Sequence, residues 1–247
     1  MFYVGTSGWQ YRSWRDTFYP KGLPQRAWLA LYATVFPTVE VNNSFYRLPA
    51  ESTFDKWRDE TPDGFFFVVK ASRYITHIRR LRDGQDPVEL FWSRARRLGH
   101  KLGPVLFQTP PNLRCDVEVL AAFLKTLPRG MRAAFEFREA SWWDDRVYAL
   151  LDGAGAAWVL ADRPGELVPL IVTGGWSYLR FHQGQRSHPK YTRSKLRAWA
   201  DRLVTLNVPE VWAFFNNDQL AAAPADALEL MELLRERGQD VAPPSGG

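Results

Sequence analysis

Glu136 and Arg138 stand two positions apart at the end of an apolar run, within the stretch RAAFEFREASWW from Arg132 to Trp143. Side chains alternate between the two faces of a β-strand, so the two phenylalanines of this run would point away from Glu136 and Arg138. A carboxylate or a guanidinium is costly to bury unless it is paired or faces a wet cavity. The pattern predicts either an ion pair that fixes the strand or, as we favour, part of a functional site.

Several other predicted strands also begin apolar and end polar. In TVEVNN, Glu40 and Asn42 share one face, and in WSYLRFH the residues Arg180 and His182 share the face of Tyr178. The polar residues at such strand ends are Glu40, Asn42, Lys70, Gln108, Glu136, Arg138, Asp162, Arg180, His182 and Asn216. Their coincidence on separate strands indicates a shared site more strongly than any single residue does.

Three of these residues are candidates for catalysis. Glu40 or Glu136 would act as a general base, and His182 as an acid or base partner near neutral pH. The same residues allow structural interpretations. Glu40 could form a salt bridge to Arg180 or Lys70, and His182 could be a hydrogen-bonded structural histidine.

The remaining strand ends are candidates for substrate binding. Lys70 and Arg180 suit an anionic group, because a guanidinium binds phosphate or carboxylate through two hydrogen bonds. Asp162 would face the ligand or hold one of the arginines, and Asn216 would position substrate or cap the last helix. The expected substrate-binding residues are Asn42, Lys70, Gln108, Arg138, Asp162, Arg180 and Asn216 from the strands, with the aromatic residues Tyr11, Trp14, Tyr46 and Trp142 from loops. The aromatic residues could stack on a ligand, although most of the 11 tryptophans would serve packing.

Eight predicted strands must position these residues. They cover residues 2–6, 39–42, 65–70, 104–108, 132–137, 157–162, 176–182 and 210–216. Helical patterns separate most of them, and Ser141 is predicted to cap the helix after the fifth strand. This alternation is typical of a TIM-like (β/α)₈ barrel, with a doubly wound open sheet as the alternative. The proline-rich segment between strands 6 and 7 predicts an irregular connection there.

The chain of 247 residues, 46% of them hydrophobic, can bury a full core. We expect one barrel domain over residues 1–238 and a disordered tail over residues 239–247. The single Cys115 excludes an intrachain disulfide framework. A cytoplasmic location is therefore the default expectation, and no apolar run is long enough to span a bilayer.

The sequence gives little support to metal or cofactor chemistry. It has 4 histidines and no HxH or HExxH spacing, which argues against a histidine-rich zinc site. A divalent metal bound by the carboxylates of Glu40, Glu136 and Asp162 stays open, and any cofactor is unknown. Phosphate loops of the Walker kind, GxSxG elbows and dinucleotide fingerprints are absent from the sequence.

The formal net charge of +5 favours anionic partners, either a small molecule or a nucleic acid. Basic residues cluster in the loops after the third and seventh strands. They are Arg73, Arg79, Arg80, Arg82, Arg186, Lys190 and Arg193. Phosphate contacts from such loops would suit a nucleic-acid-binding or nuclease-like barrel.

Several motifs together resemble the YecE-like family, domain of unknown function 72. They are GTSGWQYRSW, VEVNNSFYRLP, FVVKASRYITH, LGPVLFQTPP, AFEFREASW, YLRFH and FFNND, in the family's order. The resemblance covers about residues 4–234 and implies a TIM-like barrel without a settled activity. Glu139, Gln183 and Asp226 depart from the family's usual residues, so no role is carried over to those positions.

The sequence therefore favours an enzyme of hydrolase or lyase type that binds an anionic, phosphate-bearing substrate at the C-terminal ends of the strands. The alternative is the nucleic-acid-binding or nuclease-like barrel. A carbohydrate-processing enzyme would need Glu40 and Glu136 on either side of a sugar site.

Overall fold

Eight parallel β-strands form a closed barrel. The computed structural model describes residues 1–164, 169–182 and 189–244. The strands are β1 (Phe2–Ser7), β2 (Thr38–Val41), β3 (Phe66–Lys70), β4 (Leu102–Gln108), β5 (Ala133–Glu136), β6 (Ala157–Asp162), β7 (Ser177–Phe181) and β8 (Val211–Phe215). Each strand pairs with the next, and β8 closes the barrel on β1. The predicted TIM-like barrel is confirmed.

Helices cover the outside of the barrel. They are α1 (Trp28–Ala33), α2 (Asn43–Tyr46), α3 (Glu51–Asp59), α4 (Gln85–Ala95), α5 (Val117–Leu124), α6 (Asp145–Gly153), α7 (Arg193–Thr205) and α8 (Ala222–Glu236). Short polar side chains fix some of their starts. Asp116 accepts a hydrogen bond from the backbone N–H of Val119 at 3.1 Å, and Thr192 accepts one from Lys195 at 3.3 Å.

Apolar side chains fill the barrel interior below the polar strand ends. Tyr3 stacks on Trp212 with ring centroids 4.2 Å apart. The buried members of this inner cluster are Val68, Leu106, Ala134, Ala157, Val159, Trp176, Tyr178, Trp212 and Phe214. A larger apolar cluster includes side chains of both the strands and the helices. Two packed layers thus hold the strands in a fixed register, which the site above them requires.

Gly5 allows β1 to approach β2 closely. It pairs with Thr38, and a Cβ atom at this position would lie 2.2 Å from the Thr38 carbonyl oxygen. A larger residue would therefore push the two strands apart.

The connection between β6 and β7 is irregular, as predicted. The residues of this connection that the structure describes form no helix. Thr173 instead ties the connection to the barrel: its hydroxyl accepts from the N–H of Trp158 at 2.8 Å and donates to the carbonyl of Ala156 at 2.7 Å.

Two details of the predicted elements are wrong. Asp144, not Ser141, caps α6, and its carboxylate accepts from the N–H of Arg146 at 2.8 Å. The Ser141 hydroxyl accepts instead from the N–H of Cys115 at 2.8 Å. The loop after β3 also contains a π-helical turn, Tyr74–Ile78, which hydrophobic periodicity does not reveal.

The predicted start of the disordered tail is too early. Val241 pairs with Phe2, and the N–H of Phe2 donates to the carbonyl of Asp240 at 2.7 Å. Val241 and Ala242 are buried against the barrel. The disorder expected from residue 239 is therefore wrong for this stretch, and residues 245–247 lie outside the described part of the chain.

Candidate functional site

Because side chains alternate along each strand, the inward-facing positions at the C-terminal mouth of the barrel are occupied by polar residues. Val68, Leu106 and Ala134 belong to the inner cluster. Two positions later on the same strands come Lys70, Gln108 and Glu136, all buried. Because residues i and i+2 share a face, these three side chains lie above the apolar filling. Glu40 on β2 and Arg180 on β7 complete the layer, as the contacts below establish.

Arg180 holds two carboxylates at once. Its Nη2 and Nε lie 2.7 and 2.9 Å from Oε1 and Oε2 of Glu40, and its Nη1 lies 2.7 Å from Oε2 of Glu136. Tyr178 donates a further hydrogen bond of 2.6 Å to Oε2 of Glu40. All four side chains are buried. The planar guanidinium is suited to this arrangement, since it can present a two-pronged face to one carboxylate and a third donor to another.

A second chain of hydrogen bonds runs from Lys70 to the same carboxylate. The Lys70 Nζ donates to Oε1 of Gln108 at 2.8 Å, and Nε2 of Gln108 donates to Oε2 of Glu136 at 2.8 Å. Arg163 pairs with Oε1 of Glu136. Both oxygens of Glu136 therefore already accept hydrogen bonds from the protein.

The two glutamates stay ionised in this layer. Burial would raise the pKa of Glu40, but the charge and hydrogen bonds of Arg180, with the Tyr178 hydroxyl, hold it below its ordinary value. Burial opposes ionisation of Glu136 too, yet Arg180, His182 and Arg163 hold its pKa well below the ordinary range. Glu40 and Glu136 in turn outweigh burial and raise the pKa of Arg180. A carboxylate with a lowered pKa and occupied oxygens is a poor general base, so the geometry disfavours that predicted role for either glutamate.

A cavity of about 660 Å³ opens above this layer. Its lining residues are Tyr11, Asn42, Tyr46, Lys70, Gln108, Arg138, Arg163, Pro164, Arg180, His182 and Asn216. Four of them are basic, and among the described lining residues there is no carboxylate. The mouth thus presents positive charge, while both negative charges lie buried beneath it.

His182 connects the cavity to the buried charges. Its Nδ1 is 3.2 Å from Nδ2 of Asn216, and its Nε2 is 3.6 Å from Oε1 of Glu136. Burial and the nearby Arg180 charge lower the pKa of His182, although Glu136 opposes them. The imidazole is therefore mainly neutral at pH 7.

Asn42 lines the cavity and contains a buried acceptor without a partner in the described part of the chain. Its Nδ2 donates to Oε1 of Glu40 at 3.1 Å. Its Oδ1 is buried and has no hydrogen-bond partner among the described residues. A buried acceptor without a partner is costly, so Asn42 carries an unmet hydrogen bond at the cavity wall.

Besides the buried Glu40 and Glu136, three predicted site residues do not line the mouth. Asp162 follows Trp158 and Leu160 on the outer face of β6, where its Oδ2 accepts from Tyr191 at 2.7 Å and lies 3.2 Å from Nζ of Lys195. The other two are packing residues. The Trp14 indole donates to the carbonyl of Asp218 at 2.8 Å, and Trp142 stacks on Phe137 and donates to Leu113 at 2.7 Å. Their roles in ligand binding are not supported by this placement.

The other two aromatic candidates do reach the cavity. Tyr11 lines it and donates its hydroxyl to the carbonyl of Ser7 at 2.5 Å. Tyr46 lies at the rim with 76% of its surface exposed. Sequence reasoning missed Arg163 and Pro164. Arg163 follows Val159 and Ala161 at intervals of two residues, so strand alternation places all three on the same face. This shared face is the sequence signal that could have pointed to Arg163.

A family model described as "Protein of unknown function DUF72" matches residues 3–246. The chain belongs to the DUF72 family. This confirms the resemblance drawn from the motifs, and it applies to nearly the whole barrel.

Curated DUF72 relatives and solved structures agree with this assignment. The UPF0759 protein YunF of Bacillus subtilis is 29% identical over 282 residues, covering 98% of each protein. The UPF0759 protein YecE of Escherichia coli K12 is 30% identical over 139 residues, which are 56% of this chain and 48% of YecE. A DUF72 family protein from Thermotoga maritima has a crystal structure with TM-score 0.85 and 28% identity, covering 95% of this chain and 99% of that one. SacUVDE, with TM-score 0.52 and 9% identity over 97% of this chain and 99% of its own, shares the fold alone.

A carboxylate site for a divalent metal does not fit this member of the DUF72 family. Within the described residues, no group of three or more His, Cys, Asp or Glu side chains is placed to hold an ion. Glu40 and Glu136 direct their oxygens at Arg180, and Asp162 lies on the outer face. The oxygen ligands that such a metal requires are already engaged by cations and donors.

No helix in the described ranges is both long and apolar enough to cross a bilayer.

Proposed function

We propose that this chain is an enzyme of hydrolase or lyase type that binds an anionic, phosphate-bearing small molecule in the mouth of the barrel. The observation that carries the proposal is the charge of the cavity. Lys70, Arg138, Arg163 and Arg180 line it. Against these four cations stand the two buried carboxylates, Glu40 and Glu136, which leaves two positive charges in excess. A phosphate group would neutralise that excess in a site partly withdrawn from water.

Arg138 is the group best placed to meet the ligand first. It is exposed, and among the described residues its side chain makes no hydrogen bond or ion pair. Arg180, by contrast, already donates hydrogen bonds to the two glutamates. An unpaired guanidinium at a cavity entrance can bind a phosphate through two hydrogen bonds without first breaking another pair.

His182 is the group best suited to proton transfer. Its pKa lies below the ordinary value, so the neutral form can accept a proton at pH 7. It lines the cavity, and Asn216 and Glu136 orient the ring from its two nitrogens. We assign the two glutamates a different role, which is to hold Arg180 and His182 in position.

Isothermal titration calorimetry tests the anion site directly. Inorganic phosphate and pyridoxine 5′-phosphate are titrated into the wild-type protein, Arg138→Met and Arg129→Met. Arg129 is an exposed arginine that precedes β5, at the opposite end of the strands, and serves as the matched control. We expect Arg138→Met to weaken binding by about tenfold, which corresponds to one charge-assisted hydrogen-bonding contact. Absence of binding to wild type, or equal affinity in Arg138→Met and wild type, would refute the proposal.

The nucleic-acid alternative has weaker support. Several basic residues of the loop after β3 are already paired: Arg79 contacts Asp83 at 2.8 Å, and Arg82 contacts Asp116 at 2.9 Å. Arg193 lies 3.3 Å from oxygens of two glutamates on α8, and Arg186 lies outside the described residues. Paired arginines release fewer counterions from a phosphate backbone. Titration of single- and double-stranded oligonucleotides at two salt concentrations distinguishes the alternatives, because only a nucleic-acid binder would show tight, strongly salt-dependent binding.

A further inference from the structure

Lys70 is a buried lysine that faces the cavity without an ionic partner. It is 8% exposed, and it is one of the residues that line the mouth. Among the described residues it makes one side-chain hydrogen bond, to the neutral amide of Gln108 at 2.8 Å, and its Nζ also lies 4.2 Å from the centroid of the Phe45 ring. Among the described residues no carboxylate forms a salt bridge with it. Such surroundings give a buried ammonium little compensation for lost water.

Lys101 is a buried lysine with a structural role, and its contacts provide a comparison for those of Lys70. It is 3% exposed, and its Nζ donates to the carbonyls of Arg58 at 2.6 Å and Thr61 at 2.5 Å. The carboxylate of Asp63 lies 3.8 Å away. Lys101 precedes β4 and therefore lies at the opposite end of the strands from the mouth. Three oxygen contacts satisfy this ammonium, whereas Lys70 has one.

We infer that Lys70 is a nucleophile that forms an imine with a carbonyl group of the anionic ligand. This inference rests on the proposed function, since it names the chemistry of the same site. It draws on three observations: Lys70 lines the cavity, its amine has no salt-bridge partner among the described residues, and basic groups that could hold a phosphate line the same cavity.

The electrostatics of the mouth support a reactive amine. Burial and the charge of Arg180 lower the pKa of Lys70 to about 8, against the opposing effects of Glu136 and Glu40. Arg138 lowers it further. A useful fraction of the amine is therefore neutral near physiological pH, as imine-forming lysines require.

The reaction balances without any group beyond the ligand and water. The lone pair of the neutral Nζ attacks the carbonyl carbon, the carbonyl π electrons move to the oxygen, and the proton that the nitrogen then releases passes through water to that oxygen. The carbinolamine then loses its hydroxyl as water after a second protonation. Amine and carbonyl are thus converted into a protonated imine and water. The cationic imine can accept electrons from an adjacent bond, which is the step that a lyase needs.

Pyridoxal 5′-phosphate is a suitable probe, because it carries an aldehyde and a phosphate on one small molecule. The protein is incubated with it near pH 7.5 and treated with borohydride, which delivers hydride to the imine carbon and leaves a stable secondary amine. Peptide mass spectrometry then locates the adduct. We expect Lys70 to be modified at least about tenfold faster than the exposed Lys21, because burial and the charge of Arg180 keep more of the Lys70 amine neutral than in an ordinary lysine. Inorganic phosphate should compete with the modification.

Two variants and a folding control complete the test. Lys70→Arg keeps the positive charge but cannot form the imine, and Lys70→Met removes both. Neither should show the rapid, phosphate-sensitive modification, whereas Lys21→Met should retain it. Circular dichroism establishes that each variant is folded. Labelling of folded Lys70→Arg at the wild-type rate, or labelling spread evenly over exposed lysines, would overturn the inference.

The two proposals fail in different ways. If pyridoxine 5′-phosphate binds but Lys70 is not modified by the aldehyde, the anion site stands and the imine is refuted. If no phosphate compound binds but phosphate-free pyridoxal still modifies Lys70 selectively, the reactive lysine stands and the anion site is refuted.

Discussion

Arg180 and Glu40 are 140 positions apart in sequence, yet they form a two-pronged ion pair inside the barrel. Their contacts measure 2.7 and 2.9 Å, and both side chains are at most 2% exposed. Taking two charges out of water is expensive, and only this close geometry and the additional donors around it offset the cost. The pair therefore depends on both members being present and correctly shaped.

Replacing Arg180 with lysine should destabilise the protein although the charge is kept. A lysine ammonium is a compact point charge and cannot contact both oxygens of Glu40 and one of Glu136 in one plane. We expect a loss of about 3 kcal/mol in the free energy of unfolding, in the range for breaking a buried pair. Urea denaturation followed by circular dichroism measures it.

Arg97 provides a geometric control for that substitution. It holds Asp55 through two hydrogen bonds of 2.9 and 2.7 Å, as Arg180 holds Glu40, but its side chain is 46% exposed. Exposed pairs are screened by water, so Arg97→Lys should leave the unfolding midpoint nearly unchanged. Equal losses in the two variants would show that burial of the Arg180 pair does not matter.

Stability should fall in acid because of Glu40 and Glu136. Both have folded-state pKa values below the ordinary value of 4.5, so the unfolded chain binds more protons than the folded protein in that range. Their contribution is present above about pH 5 and is lost as the pH falls through their folded-state pKa values. Urea denaturation at a series of pH values should show this decline, and Glu40→Gln should make it shallower. An unchanged slope in Glu40→Gln would contradict the assignment.

Much of this layer follows from patterns that the sequence displays. The i, i+2 alternation on β2, β5 and β7 correctly predicts that Glu40, Glu136 and Arg180 share the barrel interior. What the sequence does not specify is which charge meets which. An ion pair of Glu136 with Arg138 is one of the two interpretations that the sequence allows, whereas Glu136 contacts Arg180 and Arg163, because the relative register of distant strands determines these contacts.

Asp162 shows where the strand-end argument fails. A polar residue at the end of a strand does not always point into the barrel. Its position in the alternation of inward and outward side chains determines which way it points. On β6 the small Ala157 and the medium-sized Val159 belong to the inner cluster, while the bulky Trp158 belongs to the outer one. Asp162 has the phase of Trp158 and faces outward. Its partners Tyr191 and Lys195 follow β7 in the chain, so local sequence could not reveal them.

Asp226 should make the protein less stable as the pH rises, whereas Glu40 and Glu136 should make it less stable as the pH falls. It is buried on α8, where Oδ2 accepts from the N–H of Tyr191 at 3.0 Å and from Asn217 at 2.7 Å. Burial raises its pKa to about 6 from 3.8, so the folded protein binds the extra proton between these values. The resulting stability is present below about pH 4 and is lost as the pH rises through 6.

Asp226→Asn removes this titration. We expect it to stabilise the protein at pH 8 by about 1–3 kcal/mol and to have little effect at pH 4. Thermal or urea denaturation at the two pH values measures the difference. An effect of the same size at both values would mean that the change acts through packing and not through the buried charge.

His182 should titrate below the ordinary histidine value of 6.5. Burial and Arg180 lower its pKa, while Glu136 raises it, so Glu136→Gln should move the midpoint further down. Proton–nitrogen NMR of the imidazole ring follows the titration, and His182→Asn assigns the signal. A phosphate dianion in the cavity would favour the imidazolium and should raise the midpoint, whereas Arg138→Met should reduce that phosphate-induced rise. If the midpoint lies above pH 7 in the free protein, the ring is mainly charged at pH 7, and His182 is not the neutral base that the proposed mechanism needs.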